Sequence, residues 1–485
     1  MAIETSEVPA VNGERNSRTT GSGGSAPVDA NPNIVMAVLL AGAFVIILNQ
    51  TLLNTALPAF MADFGVTASA AQWLTTIFML VNGIMIPVTA FLINTFTTRA
   101  LFFTAMTLFI IGTFVCAVAP TFPVLILGRI IQASGAGIIM PLMQTILFAI
   151  FPRNKRGTAM GTFGLVIAFA PAIGPSLSGW IVDHVTWHVL FWMMLPFAIV
   201  PLVISWFILS NVTEQTSPRL DKASIALSTL GFGGLLYGLG AAGDAGWTSP
   251  QVSLPLLVGG IALVVFIRRQ LRLEEPILEF RVLRYPMFTL NTVLGMCVFI
   301  VMIGGMLILP IYMQNMSDYT AMEAGLALLP GAAVMGLMSP VTGRIFDAFG
   351  AKWLAIPGFV LLTVTTFMFA RLEPDTSFAY IAGVNCVRMV GTAMIIMPVT
   401  TAALNQLPPG LIPHGTAMNN TLRQVAAATG TAVLVTVMAK ATQDPKVYGV
   451  EGLVHGANVA FAVAGSIGVL GIIGSFFIRE RAPLG

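Results

Sequence analysis

Charged side chains are scarce here: only 9% of the 485 residues are Asp, Glu, Lys or Arg, where a water-soluble domain carries roughly 25%. With 56% of the chain hydrophobic and a mean hydropathy of +0.88, polar surface is too small to cover a soluble core, and the sequence reads as an integral membrane protein. Cysteine is scarce as well. Cys116, Cys297 and Cys386 all lie in apolar stretches with no C-x-x-C spacing, so neither a disulfide framework nor a thiolate metal site is indicated, and they read as packing residues. His184, His188, His414 and His455 are scattered near loops. No H-E-x-x-H, no phosphate-binding G-x-x-x-x-G-K-[ST] and no paired D-x-x-x-D within a span occurs, so a membrane enzyme is disfavoured and neither a cofactor nor a metal is expected. The net charge of +3 is dispersed among short loops and forms no continuous patch, which argues against a nucleic-acid partner.

What the chain does have is apolar runs. Fourteen of them lie between residues 34 and 478, each near the roughly 20 residues that a bilayer core requires; the stretch 252–267 is the shortest. Residues 1–33 are rich in Ser, Gly, Asn, Pro and Thr and read as a disordered tail. No charged region leads directly into a short apolar segment with a cleavage site, so the first span is expected to be retained rather than cleaved. Loop charge tests the count. Of the 23 Lys and Arg, Arg129, Arg388 and Arg423 fall inside spans and Arg371, Lys440 and Lys446 in outer loops, leaving seventeen for the inner segments. That bias predicts an even number of spans, with both termini cytoplasmic.

Three anchors recur in order. PVTAFLINTFTTR (87–99) matches PVTGRIFDAFGAK (340–352); Arg129 followed by IIMP (138–141) matches Arg388 followed by IIMP (395–398); GTAM at 157 matches GTAM at 415. The separations are 253, 259 and 258 residues. The chain is therefore expected to be an all-α membrane protein of two related six-helix halves in parallel orientation, with two helices inserted between them. The divisions read as a tail 1–33, an N-terminal half 34–210, an insert 211–286, a C-terminal half 287–478 and a tail 479–485. Paired repeats with a site at their interface are a transporter plan in which the halves rock about that site.

These anchors resemble those of the major facilitator superfamily, and the two central helices resemble its fourteen-helix drug:proton antiporter branch, the lincomycin-resistance and EmrB-like multidrug exporters. The resemblance covers the chain from residue 34 onward. It implies a major facilitator fold, a bacterial cytoplasmic membrane, a monomer, and export of small lipophilic or cationic compounds in exchange for protons by alternating access. The alternative of the same fold is an exporter or facilitator of a dedicated metabolite or lipid without proton coupling.

Gly343, Arg344, Asp347, Gly350 and Lys352 resemble the family's GxxxDxxGxK loop. A carboxylate at a helix end can pair with nearby cations and with the positive N-terminus of a facing helix, closing the inner side. The first-half copy ends at Arg99 and carries Asn94 in the acidic position, so its latch is expected to be weaker. Arg129 and Arg388, cations inside apolar spans, are expected to face a cavity or a partner, with Gln132 one turn beyond Arg129 sharing its hydrogen bonds. Asn419, Asn420, Arg423 and Gln424 form a polar cluster that either lines the pathway or lies near the inner end. In LNQTLLNTALP (48–58) the family commonly has an acid where Asn49 stands; Asn49, Gln50 and Asn54 read either as cavity wall or as polar glue between helices. Glu323, inside the start of an apolar helix, and Asp347 are the proton-coupling candidates, Glu323 because desolvation there would raise its pKa. The helix around Gly161, Gly164, Pro171, Gly174, Pro175 and Gly179 resembles the antiporter motif and is expected to pack closely and to bend. Met302, Met306 and Met313 are candidates for a soft substrate wall, and Trp180, Trp187 and Trp192 for interfacial anchors.

Overall fold

The computed structural model describes residues 31–212, 215–216 and 221–479. Its helices are apolar around most of their circumference, as spans must be when they face lipid on one side and other helices on the rest. Among the described residues there are fourteen α-helices: α1 Pro32–Phe64, α2 Ala68–Thr95, α3 Thr98–Ala117, α4 Phe122–Ile150, α5 Arg156–His184, α6 His188–Ile208, α7 Lys222–Ala245, α8 Pro250–Gln270, α9 Pro286–Met316, α10 Ala321–Phe349, α11 Lys352–Phe369, α12 Phe378–Asn405, α13 Ile412–Ala441 and α14 Pro445–Phe476. All fourteen are long and apolar enough to cross a membrane. The short stretch 252–267 is extended at both ends by α8 to 21 residues. The start of α1 at Pro32, capped by the Asn31 side chain, places the edge of the N-terminal tail earlier than residue 33; residues 1–30, assigned to that tail, lie outside the described ones. α14 begins earlier than residue 456 because a helical turn precedes a break at Gly449, whose φ of 57° favours glycine.

Packing repeats with the helices. In the first half α4 packs on α2 and α3, α1 on α5 and α6, and α3 on α6; in the second, α12 packs on α10 and α11, α9 on α13 and α14, and α11 on α14. The two halves meet along two mirrored seams, α5 against α10 and α2 against α13. The inserted pair is not symmetric: α7 lies against both α2 and α13 and is backed by α8. There Trp73 of α2 stacks on Tyr237 of α7, with ring centroids 5.7 Å apart, and the indole of Trp247 donates to Thr436 of α13 at 2.8 Å. The insert thus occupies the α2–α13 seam and leaves α5–α10 uncovered by it.

Asp221, at the N-cap of α7, ties the inserted helices to each other. It accepts from Nε of Arg269 at the end of α8 at 2.6 Å and from the Ser224 hydroxyl at 2.6 Å. The hydrogen bond from Arg269 holds the Asp221 carboxyl down to about 2. A carboxyl with a depressed pKa stabilises the fold above its unfolded value, near 3.9, and that contribution fades as pH falls toward the folded value. Asp221→Asn is expected to lower the melting midpoint at pH 7 by about 1 °C, since the pair is partly solvated. Melting curves of the two proteins should converge between roughly pH 4 and pH 2.

One aromatic departs from expectation. Trp180 and Trp192 are exposed, but Trp187 is 4% exposed: its indole donates to Asp63 at 2.8 Å and packs edge-on against Phe60. It joins α6 to the end of α1 and is no interfacial anchor.

Candidate functional site

The ends of α2, α4, α10 and α12 and the starts of α5, α11 and α13 gather at one end of the bundle, the basic face. Here α5 and α10 touch backbone to backbone. A Cβ on Gly343 would fall 2.9 Å from the carbonyl carbon of Gly157, and one on Gly161 would fall 3.1 Å from Cα of Gly343 and 3.2 Å from Cα of Pro340, separations that real Cβ atoms rarely tolerate. Glycine at these positions is what allows the approach.

That approach delivers Asp347 of α10 onto the N-terminus of α5. Its Oδ1 accepts from the Gly157 N–H at 2.7 Å, and its Oδ2 accepts from the Thr158 N–H at 2.7 Å and the Thr158 hydroxyl at 2.6 Å. The first backbone N–H groups of a helix have no partner within it and carry the positive end of its dipole, so a carboxylate from the other half satisfies both demands at once. Arg344, on the neighbouring turn, is exposed. Gly350 ends α10 with φ 82°, and Lys352 opens α11. Arg156, the first residue of α5, reaches across to Asn405 of α12 at 2.9 Å while bonding the carbonyls of Phe148 and Phe151.

The mirrored seam is built differently. Asn94 occupies the place of Asp347, and its side chain meets Nε2 of His414 at 3.0 Å. Nδ1 of His414 accepts the N–H of Glu279, in the linker before α9, at 3.3 Å. This latch is a single neutral hydrogen bond between side chains. His414 went unnoticed in the sequence, where it is one of four scattered histidines. The available signal was its position directly before the second Gly-Thr-Ala-Met, where Arg156 precedes the first. Arg99, expected at this gate, instead points within its own half: Nη2 donates to the Trp206 carbonyl at 2.8 Å, and the guanidinium lies 4.9 Å from the Trp206 ring centroid.

Deeper in, three arginines are buried. Arg129 joins α4 to α1 and α2: Nη1 donates to Asn49 Oδ1 at 2.8 Å and to Gln132 Oε1, Nε donates to the Leu74 carbonyl at 3.2 Å, and the charge sits 4.1 Å from the centroid of the Phe78 ring. Gln132 passes the chain on to Thr113 of α3 at 2.7 Å. Arg388 donates to the carbonyls of Val301 and Met302 on α9 at 2.7 and 3.2 Å. Arg423 lies over Phe299 at 4.1 Å and reaches Thr400 at 3.4 Å. Of its neighbours, Asn419 bonds Thr292 within the same half at 3.3 Å, whereas Asn420 crosses to Gln144 of α4 at 2.8 Å. Gln50 is half-buried and Gln424 likewise; the side chain of Asn54 lies outside the described residues.

The helix of glycines and prolines runs unbroken as α5 through Pro171 and Pro175. Gly164 faces Met397 and Ser339, Gly174 faces Thr51 of α1, and a Cβ at Gly179 would meet open space. Close packing therefore holds for most of the helix and stops before Gly179. The methionines lie at different depths: Met302 is half-buried, Met306 is 46% exposed, and Met313 is fully buried beside Ile308 and Leu309. Met313 is core, and a continuous wall of the three is not formed.

The burial expected of Glu323 is also absent. Its side chain is exposed, and its carboxylate accepts from the N–H and hydroxyl of Thr320 at 2.8 and 2.9 Å, closing a capping box at the start of α10. Helix-end position, read in the sequence as desolvation, here means capping. Glu323→Gln keeps the side-chain oxygen that completes the capping box and is expected to leave transport within about twofold of wild type; a transport assay on the variant checks this.

Comparison with known proteins places this architecture. The model of the Major Facilitator Superfamily matches residues 39–431. The chain is 55% identical over 451 residues to the MFS-type transporter YcnB of Bacillus subtilis (strain 168), covering 93% of this chain and 96% of that one. It is 44% identical over 459 residues to the lincomycin resistance protein LmrB of the same organism, covering 92% and 95%. Among solved structures, the human organic anion transporter MFSD10 superposes with a TM-score of 0.68 at 15% identity, over 92% of this chain and 99% of that one, a likeness of fold. Mirrored halves, an inserted helix pair and these matches together make the chain a member of the major facilitator superfamily, a family of membrane transporters, in its fourteen-helix branch with the lincomycin resistance proteins.

Proposed function

We propose that this protein is a multidrug exporter that moves small lipophilic or cationic compounds out of the cell in exchange for protons by alternating access. The observation that carries the reading is the bond set from Asp347 to the start of α5, a carboxylate of one half clasping a helix N-terminus of the other through three hydrogen bonds. The basic face is the cytoplasmic one, on the loop-charge bias; both termini lie there, the protein sits in the cytoplasmic membrane as a monomer, and the halves divide as 34–210 and 287–478 about the insert 211–286. Relatedness to a lincomycin resistance protein supports drug export. With Glu323 serving as an exposed cap, Asp347 is the stronger of the two candidates for the proton.

A second reading has an observation in its favour. Among the described residues the only buried acid is Glu279, in the linker before α9, so no carboxylate is buried at mid-membrane depth to couple protons. That suits a dedicated metabolite or lipid exporter without proton coupling. Inverted membrane vesicles separate the two. Accumulation of a lipophilic dye under an imposed pH gradient, abolished by nigericin, is the expected result; absence of gradient-dependent movement across a varied dye panel would overturn the proton-coupled reading in favour of the second.

A further inference from the structure

Arg129 is a fixed positive charge in an apolar bundle, and everything that touches it is neutral. The groups around it are the Leu74 carbonyl, the side-chain oxygens of Asn49 and Gln132 and the face of Phe78. Among the described residues the ion pairs are Arg269 with Asp221 and Arg281 with Glu279, so no carboxylate lies within pairing distance of Arg129. A guanidinium does not release its proton at any working pH, and an uncompensated charge at such depth is strongly disfavoured. The three carbonyl dipoles and the ring face offset only part of that cost.

Two donors beside this charge have no acceptor. Nη2 of Arg129 and Nδ2 of Asn49 are both buried and unbonded, on residues that are each 0% exposed. The orientation of Asn49 is set by its neighbour, because Oδ1 accepts from Nη1 at 2.8 Å and leaves the NH₂ group as the remaining end. The pair thus offers N–H donors next to one net positive charge, which is the chemistry of an anion site. We propose that Arg129 and Asn49 form a buried site for one monovalent anion, bound by Arg129 Nη2 and Asn49 Nδ2, either a halide ion or the carboxylate of a carried solute. A single negative charge neutralises the guanidinium, whereas a divalent anion would leave an excess of the opposite sign. Arg388 has the same shortage, with Nε and Nη1 unbonded, but both polar atoms of Asn385 nearby are unbonded too, so no amide there has its direction set.

The test is thermal unfolding of the full-length protein in nanodiscs of zwitterionic lipid, followed by tryptophan emission, in sodium sulfate, whose anion is divalent, against sodium chloride, bromide, acetate or benzoate at equal ionic strength, with Asn49→Asp in the same salts to remove general salt effects. Ligand at a large excess over its dissociation constant is expected to raise the midpoint by about 4 °C. Asn49→Asp is the informative variant: Oδ1 of residue 49 already lies against Nη1, so Asp supplies a resident carboxylate without a change of shape, and the anion effect is expected to disappear. Arg129→Met, if it folds, is expected to be insensitive as well. A rise with chloride and bromide identifies a halide site; a rise with acetate or benzoate alone identifies the carboxylate of a solute. Equal midpoints in all five salts, or an anion effect of full size in Asn49→Asp, would overturn the proposal.

Discussion

Asp347→Ala is expected to open the molecule at its basic face and to lower transport more than tenfold. The carboxylate accepts three hydrogen bonds from α5, at 2.7, 2.7 and 2.6 Å, and bonds to a charged group contribute about 1.5–3 kcal/mol each when measured singly. When the halves part, water takes over some of these partners, so the net loss for the closed state is about 3–4 kcal/mol. That corresponds to a fall of roughly a hundredfold to a thousandfold in the closed-to-open ratio. The mirrored seam cannot compensate, because Asn94 and His414 share one neutral bond at 3.0 Å. Asp347→Asn keeps an amide oxygen for one α5 N–H and loses the charge, so it should fall between wild type and Ala. Spin labels at Lys155 and Phe349, both exposed, report the seam directly: the wild-type distance should be short and the Ala variant should populate a longer one. An unchanged distance distribution in Asp347→Ala would show that the clasp does not hold the halves.

Gly161→Leu is expected to abolish transport while leaving the protein inserted in the membrane. The atoms that a side chain at 161 would meet belong to the backbone of Ser339, Pro340 and Gly343 on α10, and backbone cannot turn aside as a flexible side chain can. Overpacking costs about 1–3 kcal/mol even where side chains can adjust, and here the inserted group stands in the seam beside Gly157 and Asp347. The expected outcome is a seam held apart at the basic face, with the Lys155–Phe349 label distance lengthened as in Asp347→Ala. Gly179→Leu, on the same helix and with nothing within 4 Å of an added Cβ, serves as the control and should transport as wild type does. Retained transport and a short label distance in Gly161→Leu would mean that α5 and α10 are free to separate without loss of function.

Much of this architecture is legible in the order of residues. Apolar runs near the length of a bilayer core force helices, since no other open structure satisfies its backbone in lipid, and the recurrence of PVT, IIMP and GTAM announces the two halves. The pairing of Arg129 with Gln132 follows from helix geometry, three residues being nearly one turn. Asp347 at a helix end facing another helix N-terminus is likewise readable as a type of contact. Its partners are not readable, because Gly157 and Thr158 lie 190 and 189 residues away in sequence.

Tertiary structure decided what depended on neighbours brought in from elsewhere. Glu323 stands at the start of an apolar helix, yet its burial depends on what packs against that start, and it caps its own helix in the open. Trp187 stands near a span end like Trp180, but Asp63 from α1 captures its indole and draws it inside. Arg99 closes the first copy of the repeated loop motif and turns instead to the Trp206 carbonyl, because α6 ends beside it. His414 becomes a latch only because α13 brings it against Asn94, 320 residues distant in the chain. By itself the sequence determined the number of spans, the repeat and the membrane setting, all of which follow from hydrophobicity and local spacing. Which polar groups meet across the seams was decided by the close approach that Gly157, Gly161 and Gly343 permit, and by the α7–α8 pair filling the opposite side.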